Sequence, residues 1–184
     1  MYILASVSPR RKELLKLAVG KFEVIPSGCE ETVPENIPPE KIPEYLARLK
    51  ACDVAEKYPR DTVVGADTMV FIGGMPLGKP KDRPDAVRML KLLSGTTHKV
   101  ITGCAVCEKG DCRSFSSVTE VTFYELGDDE ISAYADTSEP YDKAGGYGIQ
   151  GTGTLFVKEI RGDYFNVVGL PVAALKRFLY NKTP

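Results

Sequence analysis

Short apolar runs alternate with helical patterns along this chain, and their order restricts the fold more strongly than any other property of the sequence. The run over 2–5 leads into a turn where Ser8 suits a helix N-cap and Pro9 suits the first helical position. Strand-like and helical segments then keep alternating, and two hairpin-like pairs stand in the second half: 100–107 with 114–124, and 155–160 with 164–168. This order predicts a mixed α/β fold rather than a fully parallel, doubly wound one.

Length and charge restrict the class of protein. A chain of 184 residues fits one domain or one two-lobed unit, so we expect a single domain over residues 1–184. The 24 basic and 25 acidic residues leave a net charge of -1, which argues against a general nucleic-acid or membrane-surface binder. The N-terminus lacks the residue order of a secretory signal, and no apolar run approaches the ~18 residues needed to span a bilayer. We therefore expect a cytoplasmic protein.

The five cysteines do not resemble a disulfide framework, because their number is odd and their spacing is irregular. Cys104 and Cys107 match the C-x-x-C pattern, but they lie in a strand-like run that would point their side chains to opposite faces. No second pair has the spacing of zinc ligands, and His98 is the only histidine in the sequence. We therefore expect reduced thiols, in the core or on the surface, for this pair.

Three cations occupy the first turn of the first predicted helix, where natural sequences usually place acids. They are Arg10, Arg11 and Lys12, and each is disfavoured there by roughly 0.3–1 kcal/mol because a helix N-terminus is itself positive. A bound anion would reverse that sign, and arginine forks match phosphate oxygens. The pattern favours a triphosphate site after the first strand, and a solvated basic turn is the alternative.

A carboxylate and a hydroxyl, Asp67 and Thr68, follow the apolar run over 62–66. Ligands often bind at such strand ends in α/β proteins. Asp67 would act there as a base that activates water, or as a ligand of a divalent metal that does so. A carboxylate that caps a turn through its own backbone is an alternative that the spacing supports equally.

Two lysines and two acids extend this set. The proline that follows Lys79 biases it toward an extended conformation, from which a loop lysine can reach a phosphate. Lys50 lies within the helical pattern over 44–57, either on its buried side or, as the residue taken alone favours, at the surface. Glu30 and Glu31 are candidate metal or water ligands, and a solvated charge pair is the simpler interpretation.

Residues 143–153 form a glycine-rich segment whose backbone can approach a ligand closely. The segment is neither a phosphate-binding P-loop nor a dinucleotide fingerprint, because the spacing and flanking elements of those motifs are missing. Gln150 both donates and accepts hydrogen bonds, which suits the edge of a nucleobase. A glycine-rich connector is the alternative.

Several motifs together, in this order and spacing, resemble the Maf family over nearly the whole chain: Ser6-Val7-Ser8-Pro9-Arg10-Arg11, Gly65-Ala66-Asp67-Thr68, Gly78-Lys79-Pro80, Asp142-Lys143-Ala144-Gly145 with Tyr147-Gly148-Ile149-Gln150-Gly151, and Val168-Gly169-Leu170-Pro171. The resemblance implies a fold similar to the inosine triphosphate pyrophosphatases, a long curved mixed sheet with two lobes flanking a cleft. It also implies a nucleoside triphosphate pyrophosphatase that needs a divalent cation, Mg²⁺ or Mn²⁺.

The resemblance further implies a role for each candidate residue. Asp67 is implied to be the proton acceptor and to contact the metal. Glu31 is implied to assist in binding the metal. Positions that set substrate choice are implied at Arg10, Thr68 and Gln150. Phosphate-binding positions are implied at Ser8, Arg11, Lys50 and Lys79.

Within the family, the combination of Arg10, Thr68 and Gln150 resembles the branch that hydrolyses dTTP and UTP, a house-cleaning role that limits incorporation of unwanted nucleotides. A sister branch that prefers 7-methyl-GTP is one alternative. A non-catalytic nucleotide-binding regulator of cell division is another, although a pure binder does not need Asp67. No stable nucleic-acid complex and no membrane partner are expected, and the pattern is compatible with a homodimer without requiring one.

Overall fold

The computed structural model describes residues 1–180, which form helices on a seven-stranded sheet. The helices are α1 (Pro9–Val19), α2 (Ile42–Lys57), α3 (Arg83–Leu93), α4 (Asp128–Ala135), α5 (Tyr164–Val168) and α6 (Val172–Leu179). The strands are β1 (Tyr2–Leu4), β2 (Glu23–Val24), β3 (Thr62–Ile72), β4 (Met75–Leu77), β5 (Thr97–Glu108), β6 (Asp111–Phe123) and β7 (Val157–Arg161). No helix among the described residues is long and apolar enough to cross a bilayer.

The sheet mixes parallel and antiparallel pairs. Its strand order is β2-β1-β3-β5-β6-β7, and β4 pairs with β3 beside this path. β1 pairs in parallel with β2 and with β3, so that Leu4 lies opposite both Val24 and Val64. β3 pairs antiparallel with β4, and β6 pairs antiparallel with β7. The prediction of a mixed α/β fold is therefore confirmed.

The start and end of α1 follow from local sequence. The Ser8 side chain accepts a hydrogen bond from the Arg11 backbone N–H at 3.4 Å, and Pro9 is the first helical residue. The helix stops at Gly20, which adopts a φ of 73° that an L side chain rarely tolerates. Leu14 and Leu15 are buried on the inner face. The predicted cap, first residue and terminator of this helix are all confirmed.

α2 lies directly against β3 and β5 because two glycines leave no side chain between helix and sheet. A Cβ added at Gly65 would meet the Ala51 Cβ at 2.9 Å, and a Cβ at Gly103 would overlap the backbone of Glu44. Ala47 and Ala51 are fully buried in the same contact. This close approach determines where the middle of α2 meets the sheet.

The predicted hairpin of 155–160 with 164–168 is wrong for its second strand. β7 pairs with β6, but residues 164–168 form the short helix α5 after a turn at Gly162, whose φ is 129°. At the end of α5, the Gly169 N–H donates to the carbonyls of Phe165 and Asn166 at 3.1 Å. A short apolar run cannot be assigned to strand or helix from periodicity alone, and tertiary contacts decide it here.

The expectation of reduced thiols at Cys104 and Cys107 is wrong for Cys107, which forms a disulfide with Cys112. The hairpin between β5 and β6 turns at Lys109 and Gly110, both with positive φ, and brings the two cysteine Cα atoms to 4.0 Å. Cys104 is a free, buried cysteine. The pairing depends on the turn, which the spacing of the cysteines does not reveal.

The chain divides into two compact units. The first contains Met1–Thr68, Thr102–Ser117 and the C-terminal segment from Phe165, and the second contains Met69–Ile101 and Val118–Tyr164. In the first unit α1 packs against α6, and in the second α3 packs against α4. The sheet curvature, the cleft between lobes and the single domain over 1–184 stay predictions.

Candidate functional site

A lysine bridges two carboxylates in the first unit. Lys50 Nζ lies 2.7 Å from Asp67 Oδ1 and 3.0 Å from Glu31 Oε2. The side chains of Lys50 and Asp67 are only 15% and 14% exposed, whereas that of Glu31 is 52% exposed. The surface interpretation of Lys50 is therefore wrong, and Glu31 is not merely a solvated charge. Three of the predicted site residues meet at one place.

The position of Asp67 depends on where its neighbouring strand stops. Asp67 lies inside β3, which continues to Ile72, so the expectation that a strand ends at this carboxylate needs correction. β1 pairs with β3 only up to the Leu4–Val64 pair. Asp67 is three positions beyond that pair. It therefore lies just past the end of the neighbouring strand β1, and not at the end of its own strand β3.

Arg11 joins three parts of the first unit through its guanidinium. Nε donates to the Gly169 carbonyl at 2.9 Å, one terminal nitrogen donates to Ser6 Oγ at 3.3 Å, and the other donates to Thr68 Oγ1 at 3.0 Å. Burial lowers the pKa of Arg11, and the nearby negative charge of Asp67 opposes that shift. These three hydrogen bonds hold the guanidinium in a fixed direction beside Asp67 and Thr68. Arg11 itself lies in the first turn of α1.

The other residues of the basic turn have different surroundings. Ser8 is partly buried, and its hydroxyl is already used to cap α1. Arg10 is partly buried, whereas Lys12 is exposed. Ser6 was not predicted to take part, yet its hydroxyl accepts from Arg11 and from the Ser8 N–H. The two-residue spacing of the serines in one turn is the signal that points to it.

Thr68 is held from two sides. Its hydroxyl accepts from Arg11 and hydrogen bonds with the Thr102 hydroxyl at 2.9 Å, and Thr102 in turn donates to the Asn166 carbonyl. Thr102 is fully buried in β5, and sequence reasoning missed it. A hydroxyl within the otherwise apolar run over 100–107 is the available signal, because buried polar groups need partners.

Lys79 and Gln150 lie in the second unit, and both are exposed. The Gly145 N–H donates to the Gly78 carbonyl at 2.9 Å, which joins the loop of Lys79 to the glycine-rich segment. The places of Lys79 and Gln150 beside Asp67 stay predictions.

Glu139 organises the glycine-rich segment, and the sequence analysis did not identify it. Its carboxylate accepts from the Tyr134 hydroxyl at 2.9 Å and from the N–H groups of Thr152 and Gly153 at 2.9 and 3.2 Å. Burial raises the pKa of Glu139, but these hydrogen bonds outweigh that effect and leave the pKa lowered. A Cβ at Gly148 would meet the same carboxylate at 2.7 Å. The glycines at 148 and 151 therefore make room for an internal acid.

A buried histidine also contacts the glycine-rich segment, through Tyr147. His98 Nε2 and the Tyr147 hydroxyl lie 2.8 Å apart, and both rings pack edge-on against Phe123. Burial lowers the pKa of His98 to about 4. The histidine is therefore neutral at physiological pH and packs as part of the core of the second unit.

The carboxylates of Asp67 and Glu31 fit a hard divalent cation. Both contact Lys50 Nζ, so their oxygens lie close together, and carboxylate oxygens are the donors that Mg²⁺ prefers. Within residues 1–180, no third acid, histidine or cysteine joins them in a metal-binding cluster. Such a pair suits a cation that completes its shell with water and phosphate oxygens. Together with Arg11, the arrangement can bind an anion and accept a proton from water.

The chain is similar to known proteins over nearly its whole length. The sequence model of the Maf-like protein family matches residues 1–182. A protein of Bacillus pumilus named dTTP/UTP pyrophosphatase is 51% identical over 177 residues, which cover 96% of this chain and 94% of the relative. A protein of Bacillus cytotoxicus with the same name is 53% identical over 178 residues, which cover 97% of this chain and 93% of the relative.

The fold is also shared with a solved structure, that of the Ham1 protein of Staphylococcus aureus. The likeness has a TM-score of 0.50 at 17% identity and covers 66% of this chain and 71% of the other. Identity at this level shows the fold alone. Because the family match extends over residues 1–182 and relatives of about half-identical sequence span nearly the whole chain, this chain belongs to the Maf family.

Proposed function

We propose that this protein hydrolyses nucleoside triphosphates, with dTTP and UTP as the preferred substrates, to the monophosphate and pyrophosphate. The observation that carries the proposal is the 2.7 Å contact between Lys50 and Asp67 beside the fixed guanidinium of Arg11. The names of the two Bacillus relatives support the substrate. Removal of unwanted nucleotides from the pool, a house-cleaning role in the cytoplasm where these substrates occur, follows from this activity.

Asp67 is the proton acceptor in this proposal. Water attacks the α-phosphorus, its proton passes to an Asp67 carboxylate oxygen, and the bond from the α-phosphorus to the bridging oxygen of pyrophosphate breaks. Lys50 holds Asp67 Oδ1 and so orients the carboxylate toward the water. Orientation of this kind matters because misplacing a reacting group by about 1 Å can cost about 100-fold in rate.

The cations bind the triphosphate in this proposal. Arg11 presents a guanidinium already held by Gly169, Ser6 and Thr68, so little side-chain freedom is lost when phosphate binds. Ser8, Arg10, Lys50 and Lys79 add further phosphate or sugar contacts. Charge stabilisation of this kind is usually the largest contribution in phosphoryl transfer.

A divalent cation, Mg²⁺ or Mn²⁺, is part of the proposed enzyme. Glu31 and Asp67 would hold it, and it would neutralise charge on the phosphates. Lys50 bridges these two carboxylates, so binding of the cation would require Lys50 and the cation to share them.

Base choice rests on Thr68, Arg10 and Gln150 in this proposal. Gln150 carries an amide that can donate to and accept from a pyrimidine edge. Glu139 supports it indirectly, because the carboxylate accepts N–H bonds from the residues that follow Gln150. Gln150→Ala should therefore change the base preference while retaining hydrolysis.

The test is pyrophosphate release from dTTP, UTP, CTP, dATP, GTP, 7-methyl-GTP and dITP with Mg²⁺ or Mn²⁺, using Asp67→Asn as the control. We expect release from dTTP and UTP, and a loss of at least about 100-fold in turnover in the variant, on the scale of general-base contributions. Activity mainly on 7-methyl-GTP would move the protein to the sister branch. Nucleotide binding without any release would favour the regulator of cell division, and near wild-type turnover of Asp67→Asn would remove Asp67 from its role.

A further inference from the structure

Three cysteines from three different elements place their sulfur atoms together, and none of them is a residue of the proposed active site. Cys52 lies on α2, Cys107 on β5 and Cys112 on β6, and all three sulfurs lie within 4.8 Å of one another. The Sγ atoms of Cys52 and Cys107 are 3.7 Å apart. All three residues belong to the first unit.

The surroundings of this three-cysteine cluster are apolar. Cys107 is 4% exposed and packs in a core cluster with Ala51, Val54 and Ala105. Cys52 and Cys112 are partly buried at the edge of the same cluster. Sulfur atoms are therefore the donors that this place offers, and two of the three cysteine residues are partly exposed to solvent.

Within residues 1–180, this is the single group of three or more histidine, cysteine or acidic side chains close enough to hold one metal ion. Thiolate sulfur selects thiophilic cations such as Zn²⁺ and Cu⁺, whereas Mg²⁺ and Mn²⁺ favour oxygen. A Zn–S bond of about 2.3 Å separates the sulfurs of a tetrahedral site by roughly 3.8 Å. The 3.7 Å between the sulfurs of Cys52 and Cys107 differs from this tetrahedral separation by only about 0.1 Å.

We propose that the reduced protein binds one thiophilic cation, Zn²⁺ being the probe, through the thiolates of Cys52, Cys107 and Cys112. A solvent molecule fills the fourth position, which the partial exposure of Cys52 and Cys112 permits. The site is distinct from the proposed Mg²⁺ or Mn²⁺ site in its donors and in its elements.

The disulfide makes the site dependent on reduction. A dithiol gives two electrons and two protons to the Cys107–Cys112 disulfide, becomes a disulfide itself and leaves three thiols in the cluster. Binding of Zn²⁺ then releases the thiol protons to solvent. The oxidised form offers Cys52 alone and binds the ion weakly.

Transfer of the disulfide to Cys52 is the competing use of the same sulfurs. In that reaction the Cys52 thiolate would attack Cys107 and release Cys112 as a thiolate. Burial raises the pKa of the Cys52 thiol, so attacking thiolate is scarce at neutral pH.

The experiment is anaerobic titration of the full-length protein with Co²⁺, followed by displacement with Zn²⁺. Before titration, the protein is reduced with a phosphine that is then removed. Thiolate-to-Co²⁺ charge-transfer absorption reports sulfur ligation alone, so Co²⁺ at the carboxylates of the active site does not contribute. We expect one equivalent in reduced wild type, no band in oxidised wild type, and release of Co²⁺ by Zn²⁺.

Variants separate the cluster from the rest of the chain. Cys52→Ser and Cys112→Ser should each weaken binding by more than about 100-fold, the upper range for losing a group that only supports a metal ligand. Cys29→Ser is the matched control, because Cys29 is a free cysteine hydrogen bonded to Ser27 outside the cluster. Far-UV circular dichroism checks that each variant folds. If Cys52→Ser does not fold, Cys112→Ser, at the end of the hairpin, provides the test of the cluster.

A reduced wild type without the charge-transfer band would overturn the proposal. So would a folded Cys52→Ser or Cys112→Ser variant that binds as tightly as the wild type. These outcomes do not depend on the pyrophosphatase activity, which is measured with Mg²⁺ or Mn²⁺.

Discussion

Lys50 lies between two carboxylates that sit on different segments of the chain, Glu31 in the loop before α2 and Asp67 in β3. Two acids brought this close repel each other unless a cation lies between them. The ammonium therefore stabilises the folded arrangement as well as orienting Asp67. The same group has a structural and a functional effect, and the two can be separated by measuring both.

Replacing Lys50 by Met should lower turnover of dTTP by about 10- to 100-fold, since Asp67 loses its orientation. It should also lower the free energy of unfolding by about 1–3 kcal/mol, because both carboxylates lose a partner that is mostly shielded from water. Steady-state kinetics and urea unfolding measure the two effects.

Lys57→Met is the matched control on the same helix. Lys57 pairs with Asp53 at 2.9 Å, but its side chain is 60% exposed, so the change should leave turnover unaltered. An equal loss of turnover in both variants would mean that α2 as a whole, rather than the Lys50–Asp67 contact, is responsible.

At the scale of elements, the glycine-rich segment depends on one carboxylate from outside it. Glu139 accepts two backbone N–H bonds and the Tyr134 hydroxyl, and Tyr134 in turn accepts the Gly148 N–H at 3.0 Å. The segment has little regular structure of its own beyond short 3₁₀ turns. Its conformation therefore depends on these hydrogen bonds to an acid.

Glu139→Gln keeps the size of the side chain but removes the charge that strengthens the N–H bonds. Charge-assisted bonds are worth about 1.5–3 kcal/mol, so we expect faster amide exchange at residues 148–153 and a KM for dTTP raised by roughly 10-fold, with a smaller change in kcat. Hydrogen exchange and kinetics are the measurements. Glu125→Gln, at an exposed position of the same unit, is the control and should match wild type in both.

The contact of α2 with the sheet is the second feature at this scale. Gly103 lies against the backbone of Pro43 and Glu44, with no room for a methyl group. Glu44 also accepts hydrogen bonds from Ser114 and Ser116 on β6 at 2.9 and 2.8 Å. The start of α2 is thus attached to the sheet through both backbone and side chain.

Gly103→Ala should destabilise the protein by about 1–3 kcal/mol or more, the usual cost of overpacking. Gly28→Ala, where an added Cβ meets nothing within 4 Å, should change stability by less than about 0.5 kcal/mol. Chemical unfolding gives both values. Equal stability of the two variants would show that α2 can shift away from β5 at little cost.

At the scale of the whole molecule, stability should depend on pH through His98. Burial lowers its pKa from 6.5 to about 4. Between these two values the unfolded chain binds a proton at this imidazole and the folded chain does not. The free energy of unfolding therefore falls as pH falls from about 6.5, and this loss is complete near pH 4.

The loss from His98 alone should be on the order of 3 kcal/mol, from a shift of roughly 2.5 pKa units. Urea unfolding at a series of pH values in this window measures it, and His98→Gln should remove that part of the dependence. Parallel pH profiles of wild type and variant would contradict the assignment and leave the carboxylates as the source of acid sensitivity.

Relatives about half-identical in sequence span nearly the whole of this chain, and a structure with 17% identity keeps the fold. The fold therefore persists at a level of identity at which most residues differ. The two units each contain part of the predicted site, with Asp67 and Arg11 in the first and Lys79 and Gln150 in the second.

The sequence by itself determined the features that depend on near neighbours. Ser8, Pro9 and Gly20 begin and end α1 through caps that involve residues at most four positions away, so their pattern is readable without the fold. The alternation of strands and helices likewise predicted a mixed α/β sheet, because periodicity is a local property. The motifs that identified the candidate residues are of the same kind.

The tertiary structure alone decided the features that depend on distant residues. Lys50 is only 15% exposed because the chain brings Glu31 and Asp67 to it, and Glu139 has its role because the glycine-rich segment folds around it. Residues 164–168 form a helix because tertiary contacts decide the conformation of a short apolar run, and the Cys107–Cys112 disulfide requires the two side chains to meet across the predicted hairpin. Burial and partners arise only when separate segments meet, and therefore a linear pattern proposes the site whereas the fold assembles it.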